Sequence, residues 1–391
     1  MAPDPLSFTG DELERLERAS LRRSVRPLAS AQDPEVMRDG RSLILLASNN
    51  YLGLANHPRV VAAAKQAADE WGVGAGSARL ITGGVTLHDE LERRLAELKG
   101  TADAVVFSSG YLANLGTISA LLGPEDAVFS DELNHASIID GCRLSKADIH
   151  VYPHRDADHL EKQLADWRRD HGAARALVVT DSVFSMDGDL APLPDLADVC
   201  EVYGAMLMVD EAHATGVVGP EGRGAVAHFR MEERVPIVMG TLSKALGSAG
   251  GFIAGSTDLC DYLRNKARAF IFDTAMPAPV AAAALAALDI LVLEPTRPDR
   301  VREKARRFHD ELQMLGFETL APDAAVVPVM MGDAEAALTL AQRLLDAGVL
   351  VPAIRPPTVP EGTSRLRCTL MASHTDDQLR RAVDAFASLA G

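Results

Sequence analysis

"AMLMVDEAHATG", residues 205–216, and "PIVMGTLSKALG", residues 236–247, each carry an apolar run into a short polar turn. The first run ends on Asp210, with His213 three residues on; the second ends at Thr241, with Lys244 three residues on. Both runs are continuously apolar rather than alternating, as expected of strands covered on both faces in a mostly parallel sheet. In such open sheets, ligands bind in the crevice beyond the carboxyl ends of the strands. The two ends are about one helical crossover apart, so neighbouring strands would present an acid, an imidazole and an amine to one crevice. Lys244 sits among small and hydroxylated residues with no other charge nearby. Taken alone, a lysine is more often a surface residue, and this setting is unusual for one.

Outward from these two stretches, further apolar runs alternate with helical patterns: "AVVF", "AVFS", "DIHVY", "RALVVT" and "GGFIAG". The pattern predicts an α/β sheet from about residue 100 to about 256. "GGFIAG" follows its neighbour too closely for a helical crossover, which predicts antiparallel pairing. A helical stretch from about Thr274 to Leu315 is interrupted by "EPTRPDR", a predicted kink or boundary. Beyond it lie "AAVVPVMM", a helix over "DAEAALTLAQRLLDAG", "VLVPAI", "SRLRCTLMA" and a last helix. The first fifty residues hold one amphipathic helix and "SLILLA", too little for an independent core. The expected fold is therefore α/β. A large domain over 50–280 has a mostly parallel sheet covered by helices, and 1–49 with 281–391 form a smaller discontinuous α+β domain.

The chain has 391 residues, 47% hydrophobic and 24% charged, with a formal net charge of −16. That balance argues against nucleic acid and anionic membranes as partners. Cys142, Cys200, Cys260 and Cys368 are far apart and show no metal-ligand spacing, which suggests buried thiols in a reducing compartment. "MAPDPLSFTGDELERLERASLRR" lacks the apolar core of a signal peptide. "APVAAAALAALDILVL" is too short to span a bilayer and is interrupted by Asp289. A cytoplasmic protein is expected.

Two further stretches follow predicted strands. "FSSGYLANL" places Ser109, Gly110 and Tyr111 before a helix, where small residues let backbone amides approach an anion and the helix dipole attracts it. "NHASIIDG" places His135 at another helix start. Singly, these histidines read as structural, Asp210 as a helix cap and "SSGY" as a connection. Together they match pyridoxal phosphate. Its aldehyde forms a Schiff base with a lysine, its ring nitrogen pairs with a carboxylate, and its phosphate needs amides and hydroxyls. Desolvation would lower the Lys244 pKa and leave its amine nucleophilic.

With "SNNYLGL" (48–54), "DSVFSMDGDLAPL" (181–193), "VDEAHATGVVGPEGRG" (209–224), "GTLSKALGSAGG" (240–251) and "AIRPPTVPEGTSRLR" (353–367), the chain resembles the α-oxoamine synthases, fold-type I pyridoxal-phosphate enzymes, over nearly its whole length. The resemblance implies that Lys244 holds the cofactor covalently and that Asp210 pairs with its ring nitrogen. His213 would bond its phenolic oxygen, and His135 would stack on its face and assist the chemistry. Ser109, Gly110, Tyr111, Thr241 and Ser185 would surround the phosphate, joined by Thr274 from the neighbouring subunit of a homodimer. Arg367 would grip the amino-acid carboxylate, with Asn49 nearby and Thr358 and Arg22 along the acyl chain. The implied reaction joins L-alanine to a pimeloyl thioester, pimeloyl-CoA or pimeloyl-acyl carrier protein, with loss of carbon dioxide and free thiol, in biotin biosynthesis. A sibling pairing, such as glycine with acetyl-CoA, is the alternative, and no metal is implied.

Overall fold

A computed structural model describes residues 4–18 and 21–390. Two short strands, β1 (Glu35–Arg38) and β2 (Arg41–Leu45), form an antiparallel hairpin. The seven apolar runs then become β3 (Asp103–Phe107), β4 (Ala127–Asp131), β5 (Asp148–Tyr152), β6 (Ala176–Asp181), β7 (Met206–Asp210), β8 (Ile237–Thr241) and β9 (Gly251–Gly255). They make one sheet in the order β3-β9-β8-β7-β6-β4-β5. From β5 to β8 every pairing is parallel, while β9 runs antiparallel to both β8 and β3. The short spacing before "GGFIAG" has the consequence expected of it. β4, β6, β8 and β9 are buried at every position, the physical reason their sequences do not alternate.

Helices cover both faces: α1 (Ser7–Arg18) lies outside this group, while α2 (Pro58–Trp71), α3 (Thr86–Lys99), α4 (Gly110–Leu121), α5 (Ala136–Ser145), α6 (Ala157–His171) and α7 (Leu193–Tyr203) flank or connect the strands. The alanine-rich tract forms a helix over Ala278–Leu293 that packs against α2 and α3. It is followed by Arg297–Met314 at a bend of 80°. Pro295 cannot donate within a helix and Pro298 suits the first turn of the next, so "EPTRPDR" breaks the stretch. Among the described residues no single helix is long and apolar enough to cross a membrane.

The C-terminal part contributes β10 (Val326–Gly332), β11 (Val349–Leu350), β12 (Ala353–Ile354) and β13 (Ser364–Thr369). β13 lies between β10 and β12, antiparallel to both. β11 pairs in parallel with β2, so strands from the two ends of the chain share a sheet. All four cysteines are buried and free, and burial pushes the thiols of Cys142, Cys200 and Cys260 up to about 12.

Candidate active site

Parallel strands end on the same edge of the sheet, and the unusual residues gather there. In the β6–β7 pairing Asp181 lies opposite Asp210, both buried. One Asp210 oxygen accepts from the Ala212 amide at 2.8 Å and the other from Asn114 Nδ2 at 2.7 Å. Asn114 stands on α4 one helical turn after Gly110, and its amide also donates to Ser137 at 2.9 Å. Ser137 in turn meets Nδ1 of His135 at 2.7 Å, and the His135 amide donates to Asp181 at 2.8 Å. His135, the N-cap of α5, is thereby fixed between the two carboxylates. Burial, reinforced by the neighbouring Asp210, raises the Asp181 pKa well above the usual carboxylate range.

Lys244 follows β8 by three residues. Among the described residues its amine has no hydrogen-bond or ion-pair partner. Burial lowers its pKa, with Arg367 adding to that effect and Asp210 and Asp181 opposing it. His213 is buried, and its pKa falls well below the ordinary value, first by burial and then by the positive Lys244 and Arg367. Its Nδ1 lies 2.7 Å from the hydroxyl of Tyr51, which also contacts Asn49 Oδ1 at 3.1 Å. Arg367, on β13, reaches into this cluster. Its Nε donates to the Ser185 carbonyl, Nη1 to Asn49 Oδ1 at 3.2 Å and Nη2 to the Tyr51 hydroxyl at 3.2 Å.

The start of α4 has the form of an anion cradle. Ser109 caps it by accepting from the Leu112 amide at 3.1 Å, and the first-turn amides of Gly110 and Tyr111 have no acceptor within the helix. Thr241 lies alongside, with its hydroxyl 2.7 Å from that of Ser243 and donating to the Gly250 carbonyl at 2.8 Å. Gly251 allows β9 and α4 to approach each other here, because a Cβ on it would lie 2.5 Å from the Gly110 Cα. Tyr111 points its hydroxyl at Asp140 instead of the cradle, so its amide is the group on offer. Thr274 is exposed, and its carbonyl accepts from Ser108 at 3.1 Å.

Thr358 lies in an exposed turn between β12 and β13. Arg22 is exposed and pairs with Glu17, with no contact to the cluster among the described residues. Sequence reasoning passed over Asp181, Asn114, Ser137 and Tyr51. Asp181 carried a readable signal, an acid ending an apolar run just as Asp210 does.

A free, desolvated amine, a buried carboxylate, a capped helix start with free amides and an imidazole within electrostatic reach of amine and carboxylate suit pyridoxal phosphate. A buried Asn114 oxygen without a partner at the same spot is in keeping with a polar ligand. The aminotransferase class I and II family model matches residues 41–386. The chain is 51% identical over 380 residues to an 8-amino-7-oxononanoate synthase of Geobacter sulfurreducens, covering 97% of this chain and 96% of that protein. It is 48% identical over 382 residues to the one of Symbiobacterium thermophilum, covering 98% and 97%. A solved serine palmitoyltransferase from Sphingomonas wittichii superposes with a TM-score of 0.93 at 37% identity, over 99% of this chain and 98% of that one. A solved 8-amino-7-oxononanoate synthase from Francisella tularensis gives 0.74 at 28%, over 89% and 97%. The chain therefore belongs to the class I and II aminotransferase family of pyridoxal-phosphate proteins, in its α-oxoamine synthase branch.

Proposed function

We propose that this chain condenses L-alanine with a pimeloyl thioester, carried on CoA or an acyl carrier protein, releasing carbon dioxide and free thiol and giving 8-amino-7-oxononanoate for biotin biosynthesis. The observation that carries this reading is the pairing of Lys244, unpartnered and desolvated, with an Arg367 held to take a carboxylate. Identity near 50% along nearly the whole chain to proteins of that name supports the choice of substrates.

Pyridoxal phosphate, when bound, supplies an aldehyde for amines and a ring that accepts the electrons of a bond broken at the substrate Cα. Lys244 would hold the cofactor and would then be the base for the alanine Cα proton; its lowered pKa favours the neutral amine this needs. Asp210, fixed by two N–H donors, would hold the proton of the ring nitrogen. His213, whose Nδ1 meets Tyr51, would bond the phenolic oxygen. His135 would stand beside the ring and could pass a proton during acyl transfer and loss of carbon dioxide. Arg367 spends three of its five N–H groups on Ser185, Asn49 and Tyr51. The remaining two, one on each terminal nitrogen, suit a bidentate grip on the amino-acid carboxylate.

Ser109, Gly110, Tyr111, Thr241 and Ser185 surround the phosphate in this reading. Thr274 serves the partner subunit's phosphate in a homodimer, where the exposed Leu80, Ile81 and Phe272 beside it would be covered. Asn49 supports the amino acid; Thr358 and Arg22 follow the acyl chain. The two bodies, 50–280 and 1–49 with 281–391, belong to the same reading, supported by the β2–β11 pairing.

The close superposition on a serine palmitoyltransferase favours a sibling pairing as the second reading. The deciding experiment supplies alanine, glycine and serine, each with pimeloyl-, acetyl- and palmitoyl-CoA, and follows thiol release. Alanine with pimeloyl-CoA is expected to be fastest. Preference for serine with palmitoyl-CoA or glycine with acetyl-CoA would replace the proposal, and transamination without thiol release would discard the class.

A further inference from the structure

The segment joining β6 to α7 is pinned from two sides. It forms a tight turn, with Phe184 donating to the Asp189 carbonyl at 3.0 Å and Gly188 to the Phe184 carbonyl at 2.8 Å. Gly188 has φ +77° and presses on β10, since a Cβ there would lie 2.9 Å from the Val326 carbonyl oxygen. On the side of the seven-stranded sheet, His154 and Arg155 hold Asp189 at 3.1 and 2.9 Å. On the other side two arginines of β13, two positions apart and so on one face, reach the same turn. Arg367 bonds the Ser185 carbonyl. Arg365, only 3% exposed, donates to Asp187 Oδ1 and to the Met186 carbonyl at 3.3 Å. Its Nε is taken by the Thr363 carbonyl at 3.0 Å, so the side chain has little freedom of its own.

We propose that Arg365 is a positioning residue for amino-acid capture: by clamping Asp187 and Met186 it fixes the turn against which Arg367 is braced, and so aims the free N–H pair of Arg367. This rests on the reading that Arg367 takes the substrate carboxylate. Arg365 itself touches neither substrate nor cofactor; it acts through the turn. Without the clamp, the Ser185 carbonyl shifts and the Arg367 fork loses its direction, while Asp210 keeps its bonds to Asn114 and Ala212 and the start of α4 keeps its Ser109 cap. The signature is a loss of alanine affinity without a matching loss of chemistry.

The test compares wild-type holoenzyme with Asp187→Asn, Arg365→Gln and the exchanged pair Asp187→Arg/Arg365→Asp. Alanine binding is read from the cofactor absorption change, alongside KM, kcat and cofactor content. Expected are full cofactor loading, an alanine Kd and KM raised about tenfold in each single variant, kcat within about threefold, and partial recovery in the exchanged pair. Asp187→Asn, isosteric and on a partly exposed turn, keeps the test open if Arg365→Gln does not accumulate. An unchanged Kd in Asp187→Asn overturns the proposal, as does a parallel loss of kcat and cofactor, which would mark a purely structural contact. A wild-type holoenzyme whose absorption ignores alanine overturns the functional reading itself, before any variant is made.

Discussion

Replacing His154 with glutamine should remove about 3 kcal/mol of stability near pH 6.5, and with it a loss of stability that the wild type shows on going to pH 9. His154 places Nδ1 3.1 Å from Asp131 and Nε2 3.1 Å from Asp189, and its ring meets Phe184 edge-on. Both nitrogens can donate only when the ring is charged. Burial works against the charge, but the two carboxylates outweigh it and lift the pKa from 6.5 to about 9. A shift of that size corresponds to roughly 3 kcal/mol, and with a side chain only 21% exposed, screening by solvent is modest. Because the folded value lies above the unfolded one, the stabilisation is complete below about 6.5 and fades as pH rises through 9; roughly 2 kcal/mol is lost between pH 7 and 9. Urea unfolding midpoints of wild type and variant, taken at intervals across that range, give a difference curve in which groups common to both cancel. The gap should narrow as pH rises. A constant gap would refute the charged ring, and no gap at all would refute the clamp.

Three further substitutions follow from the same contacts. Gly251→Ala puts a methyl 2.5 Å from the Gly110 Cα, backbone that cannot yield cheaply, so cofactor binding measured by dialysis should weaken at least about tenfold. Lys99 is fully buried, its amine bonded to Glu211, to Thr215 at 2.7 Å and to the Arg223 carbonyl at 2.7 Å. Lys99→Met strands the Glu211 charge and should cost about 3–5 kcal/mol in unfolding experiments, with part regained on adding Glu211→Gln. His135→Ala should slow turnover by about a hundredfold while alanine still binds; unaltered turnover would remove His135 from the proton path.

The sheet was readable because its inner strands are nearly unbroken apolar runs, with only the edge strand β5 carrying Asp148 and His150, and β9 betrayed its direction by following β8 too closely for a crossover. Pro295 and Pro298 marked the helix break for reasons of local chemistry. Asp210, His213 and Lys244 could be singled out because strand ends on one edge of a parallel sheet converge. Asp181 ends a strand in the same way, but only the β6–β7 register sets it against Asp210. Tyr51 and Asn114 are ordinary in sequence, and their meaning comes from contacts with His213, Arg367 and Asp210 across long separations. His154 and Arg365 were silent for the same reason. The turn they grip was visible as a motif, whereas which groups hold it is a property of the packing.

The most direct measurement of the central claim is a peptide map of the holoenzyme after borohydride reduction. The account predicts one pyridoxyl phosphate adduct, on Lys244 of the "GTLSKALGSAGG" peptide. Lys99, fully buried and also with a lowered pKa, has its amine engaged on three sides and should carry none. An adduct on Lys99 or elsewhere, or none in protein saturated with the cofactor, would contradict it.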